Sequence, residues 1–173
     1  MKKALVFAAF VIVFAAASAS AFDTTPLQLA IWPSRLQVVP EYIDVSGIKL
    51  NLPFGRNENI VGLDAGIASS SSKTSALQVN LLNRVHDRYA GFQVGILNQT
   101  GNSSGVQIGV LMNATDSVAK GIQIGIINTS LEMSGLQVGF INYTEFMTGF
   151  QVGLINIIRE SIIPFFPIVN FCF

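Results

Sequence analysis

The chain has 173 residues, half of them hydrophobic and 12% charged, with ten basic residues against ten acidic ones. A neutral balance with no basic run or face leaves no electrostatic footprint for nucleic acid. One cysteine, Cys172, and one histidine, His86, exclude an internal disulfide and a Cys/His zinc set.

Residues 1–21 read as a cleaved secretory signal peptide. Lys2 and Lys3 make a basic start, Ala4 to Ala17 is an unbroken apolar run, and Ala19-Ser20-Ala21 is a small-residue cleavage signal. The run is shorter than the roughly 18 residues that a membrane-spanning helix wants. No cysteine follows the cut, so a lipid anchor on the new N-terminus is not expected. Residues 22–173 are then one β-repeat domain, long enough for a real core. Without Lys2 and Lys3, eight basic residues face ten acidic ones, a net charge near −2.

Strands are expected around Leu27 to Ile31, Arg35 to Val39 and Tyr42 to Leu50. Between the first two, Trp32 reads as a core or capping residue, or as an interfacial anchor if the protein meets a membrane. From Gly47 the text repeats. Faint copies start at Gly47 (GIKLNLPF) and Gly62 (GLDAGIAS), and a degenerate one at Ala76 (ALQVNLLN). Clear copies start at Gly91 (GFQVGILN), Gly105 (GVQIGVLM), Gly121 (GIQIGIIN), Gly135 (GLQVGFIN) and Gly149 (GFQVGLIN), so the clear repeats span 76–156. Such a period is the mark of a repeat architecture.

Phe92, Val94 and Ile96 alternate with Gln93 and Gly95, as Leu136, Val138 and Phe140 do with Gln137 and Gly139. Period two with β-branched and aromatic residues means a strand, and the glycines would weaken a helix by about 1 kcal/mol each. The second face carries a row of Gln (93, 107, 123, 137, 151) and a row of Gly (95, 109, 125, 139, 153). A repeated Gln can pair neighbouring strands, and a repeated Gly marks a bend or a close approach. Connectors such as QTGNSS and TSLEMS read as turns. Asn98, Asn113, Asn128 and Asn142 sit in formal glycosylation sequons, but their repeat register points to Asn side chains capping turns. One unit cannot fold alone, so stacked neighbours must share burial and backbone pairing.

Two architectures fit. In a parallel β-solenoid each repeat is one coil, and the Gln and Asn rows become ladders. In an antiparallel meander each repeat is a strand plus a hairpin turn. The spacings from Gly47 run 15, 14, 15, 14, 16, 14, 14, and more charged connectors roughly alternate with neutral ones. Alternation suits two unlike ends. The expected fold is therefore an all-β antiparallel up-and-down meander of about ten short strands closing into a shallow barrel, with the parallel solenoid as alternative.

The tail, around Ile168 to Phe173, alternates Val169, Phe171 and Phe173 with Asn170 and Cys172. It resembles the closing strand of bacterial outer-membrane barrels, although each repeat has only three strong outward apolar positions where a spanning strand needs about 9–11 residues. GLQVGFIN and GFQVGLIN resemble the GLQxGxxN repeats of exported bacterial surface-repeat proteins, a group of unassigned function, and also shallow hairpin-repeat barrels of flower-like shape. The resemblance covers about Gly47 to Asn156. It implies an exported all-β bacterial protein and transfers no catalytic residue.

Chemistry is sparse. His86-Asp87, beside Arg84 and Arg88, is a conceivable general base, but a lone His in a connector is more often solvated. Cys172 is a nucleophile only if His86 lies near it. Asp64 replaces Gln in its copy, as drift or as a specialised copy, and Ser69 to Ser72 reads as a flexible loop. No catalytic, cofactor-binding or metal-ligating residue is assigned, and no cofactor is expected. The functional expectation is a non-enzymatic exported repeat protein of the bacterial outer membrane or envelope, a structural or interaction scaffold. The alternative is a periplasmic or secreted module holding a lipid or other apolar ligand in its interior, where Gly leaves room. A membrane or lipid is the partner class that fits, and no nucleic acid is expected.

Overall fold

The computed structural model describes residues 23–31 and 36–173. The expected signal peptide, Trp32 and Arg35 lie outside the described residues. Five strands, β1 (Thr24–Ile31), β2 (Leu36–Gln37), β3 (Asp44–Val138), β4 (Ile141–Ile158) and β5 (Phe165–Cys172), form one mixed sheet in the order β2-β1-β3-β4-β5. No helix occurs among the described residues, as the period-two pattern requires.

β3 alone has 95 residues. Drawn straight, a strand of that length would run about 310 Å. Instead it returns beside itself once per repeat: Gln93 donates to Gln78, Gln107 to Gln93 and Gln123 to Gln107, across 15, 14 and 16 residues. β4 continues the pattern by pairing parallel with the end of β3, in the register Gly135–Gly149, Gln137–Gln151 and Val138–Val152. β1 pairs parallel with the start of β3, setting Gln28 opposite Lys49 and Ile31 opposite Leu52.

Two expectations are corrected here. The repeats do not pair as antiparallel hairpins, and the sheet does not close into a barrel. The reason lies in the amide rows. A hairpin reverses direction, so position 3 of one repeat would face a different position of the next. A parallel return sets every Gln beside a Gln and every Asn beside an Asn. The unequal spacings, read from sequence as two unlike ends, are absorbed by connectors and by the extra residue Met112, while the Gln–Gln bonds stay at 2.6–2.9 Å.

Antiparallel strands finish both ends of the sheet. β2 runs against β1 (Ala30–Gln37, Ile31–Leu36), and β5 runs against β4 (Phe150–Phe171, Gln151–Asn170), with a register break between Gly153 and Asn156. The tail is thus a strand, as its alternation implied, but it forms a sheet edge and closes nothing. Pro167 lies on this edge, where a missing N–H costs no ladder bond.

Candidate lipid-facing surface and the polar interior behind it

The two faces of the repeat are inverted relative to an ordinary soluble protein. Gln78, Gln93, Gln107, Gln123, Gln137 and Gln151 are all buried, and so are Asn83, Asn98, Asn113, Asn128, Asn142 and Asn156. The aliphatic and aromatic side chains between them face outward: Val110 is 62% exposed, Phe140 60% and Leu154 62%. Among the described residues the buried apolar side chains are few, some in small clusters (Ala119, Met133, Met147 and Ile158; Val39 with Ile43) and others, such as Ile60, Val85 and Tyr89, apart from them.

Burying this many amides is tolerable because nearly all of their polar atoms are hydrogen-bonded; Gln151 Oε1 is the exception within the two rows among the described residues. Along the Asn row, Asn83, Asn98, Asn113, Asn128 and Asn142 each donate through Nδ2 to the Oδ1 of the next Asn at 2.8 Å. Every one of these Nδ2 groups also donates to a carbonyl in the following repeat, for example Asn113 to Ile124 at 2.8 Å and Asn128 to Val138 at 2.9 Å. The Asn side chains therefore bridge repeats, and only some, such as Asn83 to the Asn80 carbonyl, also close their own turn. Being buried, Asn98, Asn113, Asn128 and Asn142 offer no acceptor for glycan in the folded chain.

The Gln row runs the other way. Each Gln donates to the Gln before it, whereas each Asn donates to the Asn after it. Aligned amide dipoles sum along a column, so two columns of opposite polarity cancel much of the field that either would build alone. Opposite polarity also fixes which ends are open. Gln151 Oε1, the last acceptor of its column, has no partner among the described residues.

The Gln row is completed at its other end by two charges. Lys49 and Asp64 occupy position 3 of the faint copies, and both are fully buried. Asp64 accepts from Gln78 (2.7 Å), Asn51 (2.6 Å) and Ser69 (2.6 Å), and Ser69 in turn accepts from Lys49 Nζ at 3.1 Å. Burial pulls the Lys49 ammonium down to about 8, with the Asp64 charge opposing the fall. Burial, and secondarily Asp64, pushes the Tyr89 phenol well above its ordinary value, and Tyr89 donates to the Ala76 carbonyl at 3.0 Å. Asp64 is thus the acceptor end of the Gln column, and Ser69 is an ordered, buried member of it rather than part of a flexible loop.

Glycine leaves no room inside. A Cβ on Gly153 would overlap the Gly139 carbonyl and press on the Asn142 amide, so position 5 is already filled by the neighbouring repeat. At position 1 the backbone itself demands glycine: Gly121 has φ +116°, and its missing Cβ is where the Gly105 carbonyl sits. The close approach expected of the Gly rows is therefore present, whereas an interior ligand space at these glycines is not.

On the outside, positions 2, 4, 6 and 7 form stripes along the stack, such as Val79, Val94, Ile108, Ile124, Val138 and Val152. The eight repeat positions of the copies from Ala76 to Asn156 hold no charged residue, since every Asp, Glu, Lys and Arg of this stretch is in a connector. Seven residues at about 3.3 Å by six repeats at about 4.8 Å give a face of roughly 650 Å² in projection. That exceeds the ~300–600 Å² of the largest apolar patch on a typical monomer. A shallow groove of about 680 Å³ runs along it between Ile108, Ile124 and Val152 on one side and Val110, Phe140 and Leu154 on the other.

The sequence-level chemical candidates are scattered. His86 is exposed and its Nε2 lies 3.2 Å from Ser70 Oγ. Cys172 packs against the Met133–Met147 cluster near Gly149, five repeats from the copy that precedes His86, or about 24 Å along the stack. No nucleophile–base pair joins the two. Among the described residues no three His, Cys, Asp or Glu side chains converge as metal ligands. Sequence reasoning gave each repeat three outward apolar positions but did not join them into one surface, although the absence of charge from the repeat positions was the signal for it. Comparisons with protein-family models, curated proteins and solved structures each return no match.

Proposed function

We propose that this chain is an exported parallel β-solenoid that lies on a bacterial envelope membrane, outer-membrane-associated, with its charge-free face sunk among lipid acyl chains and its connectors in water. It works as a non-enzymatic structural or interaction scaffold, in keeping with its resemblance to exported surface-repeat proteins. The parallel pairings and the repeat-long amide ladders support the solenoid. The observation that carries the membrane reading is the inversion: amides inside, uncharged apolar stripes outside.

The physics is consistent. Backbone groups on a lipid-immersed surface must be paired internally, and in-register stacking pairs each strand with the repeats beside it. Sinking about 650 Å² of apolar surface at about 25 cal/mol per Å² gives on the order of 16 kcal/mol before the costs of association. A second reading, a module carrying one apolar ligand, is favoured by the groove of about 680 Å³, which is lined only by aliphatic, aromatic and glycine residues.

Flotation on zwitterionic vesicles tests the proposal. The full chain should rise with the vesicles and resist carbonate. Phe140→Ser combined with Leu154→Ser, both at exposed positions, should lower the bound fraction several-fold without lowering the unfolding midpoint. Recovery of the parent protein as a free, soluble monomer would overturn the membrane reading.

A further inference from the structure

We infer a binding site for the phosphate of an anionic lipid, at the border of the apolar face near its N-terminal end; the inference rests on the membrane reading above. A cleft of about 500 Å³ opens there. It exists because the copy at Gly62 carries Ala68 and Ser70 at positions 7 and 9, where the next copies carry Leu82 and Leu97, Arg84 and Gln99. Small residues between larger ones leave a notch.

The notch has two chemistries. One wall is Phe54, Leu82 and Leu97, and Leu82 and Leu97 begin the stripe that continues through Leu111, Ile127, Ile141 and Ile155. The other wall holds Arg56, Arg84 and His86, with no carboxylate among the lining residues. Arg84 takes part in neither of the ion pairs found among the described residues. Arg56 meets Glu41 only at 3.6 Å with both side chains more than half exposed, a pair that solvent makes weak. His86 Nε2 is already held toward the cleft by Ser70 Oγ at 3.2 Å.

Guanidinium forks match phosphate oxygens in a bidentate way. An anionic head against Arg84 and Arg56, with its chain along Leu82 and Leu97, satisfies both walls at once. The row that holds Arg84 also suits the level of lipid head groups. Along the stack it reads Ser70, Arg84, Gln99, Ala114, Thr129, Tyr143 and Ile157, the seam between apolar stripes and charged connectors. Arg84 is the one basic residue of that row, so the site is local and is not a general property of the repeat.

The test uses the full chain with monomeric short-chain lipids, measured by calorimetry or NMR titration. Dihexanoyl phosphatidic acid should bind at least about tenfold more tightly than dihexanoyl phosphatidylcholine, the scale of one lost charge-assisted contact. Arg84→Gln should erase that preference, Arg84→Lys should keep part of it, and Lys120→Gln, in a distant connector, should leave it intact. Equal affinity for the two lipids, or an unchanged preference in Arg84→Gln, would overturn the site. Inorganic phosphate binding as tightly as the anionic lipid would also overturn it, marking a free-anion site instead. Flotation on zwitterionic vesicles separates the two proposals. Flotation without head-group preference removes the site and leaves the membrane reading, whereas preference without flotation does the reverse.

Discussion

Asn128 carries more than its size suggests. Its Nδ2 donates to Asn142 Oδ1 and to the Val138 carbonyl, and its Oδ1 accepts from Asn113, all at 2.8–2.9 Å. Asn128→Ala leaves Asn142 Oδ1 and one Asn113 Nδ2 hydrogen buried without their partner, at about 1–3 kcal/mol each, so a loss of roughly 2–5 kcal/mol is expected in urea unfolding in detergent solution. A loss below 0.5 kcal/mol would mean that the ladder contributes nothing to stability. Lys49 gives a pH signature. Between its folded value of about 8 and its usual 10.5 the unfolded chain holds a proton that the folded chain does not. Stability therefore rises with pH from about 8 toward 10, by at most roughly 3 kcal/mol. Tyr89 acts in the opposite sense above pH 10, where the unfolded phenol ionises and the buried one does not. Replacing both charges, Lys49→Gln with Asp64→Gln, completes the Gln row and should abolish the rise from pH 8 to 10, whereas Lys49→Met alone strands a buried carboxylate and should cost about 3–5 kcal/mol. Unfolding midpoints at pH 7.5 and 9.5 decide this; a rise that persists in the double variant would remove Lys49 as its cause.

At the scale of the element, the ends differ from the middle. Interior repeats pair on both sides, but β4 would present a long open edge if β5 did not run along it. β5 suits an outermost strand: Pro167 lacks a donor, and Ile168 holds a positive φ of 72° that interrupts regular pairing. Phe150, Phe171 and Phe173 pack on one another across the joint, with ring centroids 5.2–6.1 Å apart. Removing residues 165–173 should uncover the β4 edge and the open Gln151 acceptor. The expected result is concentration-dependent assembly in detergent, read by analytical ultracentrifugation. A truncated chain that stays monomeric across a tenfold concentration range would show that β5 does not protect the edge. The strand character of β1 and β5 was readable from alternation around Leu27 to Ile31 and Val169 to Phe173, but their partners and directions were not, because alternation is the same in either direction.

At the scale of the whole molecule, the repeat determined a great deal before any coordinates. Its period of 14–16 residues and its alternation dictated an all-β chain in which units must share burial, and its amide and glycine rows dictated close, repeated contact between neighbours. The cluster at Lys49, Asp64 and Ser69 was visible only as departures from the consensus, since the three lie in two different copies and meet only when those copies stack. Two questions were left to the tertiary structure. Strand direction was one, because connector lengths suit hairpins and coils alike, and only the distances within the Gln and Asn rows distinguish them. Which face is inside was the other. Period two separates the Gln–Gly face from the Phe–Val–Ile face without ranking them, and the habit of placing apolar residues inside ranks them wrongly here. A repeat of 14 residues encloses little volume, and behind the strands that volume is taken by stacked amides that bond from one repeat to the next. The large apolar side chains have only the outside left to them, which is why a chain that is half hydrophobic keeps so little of that character in its core.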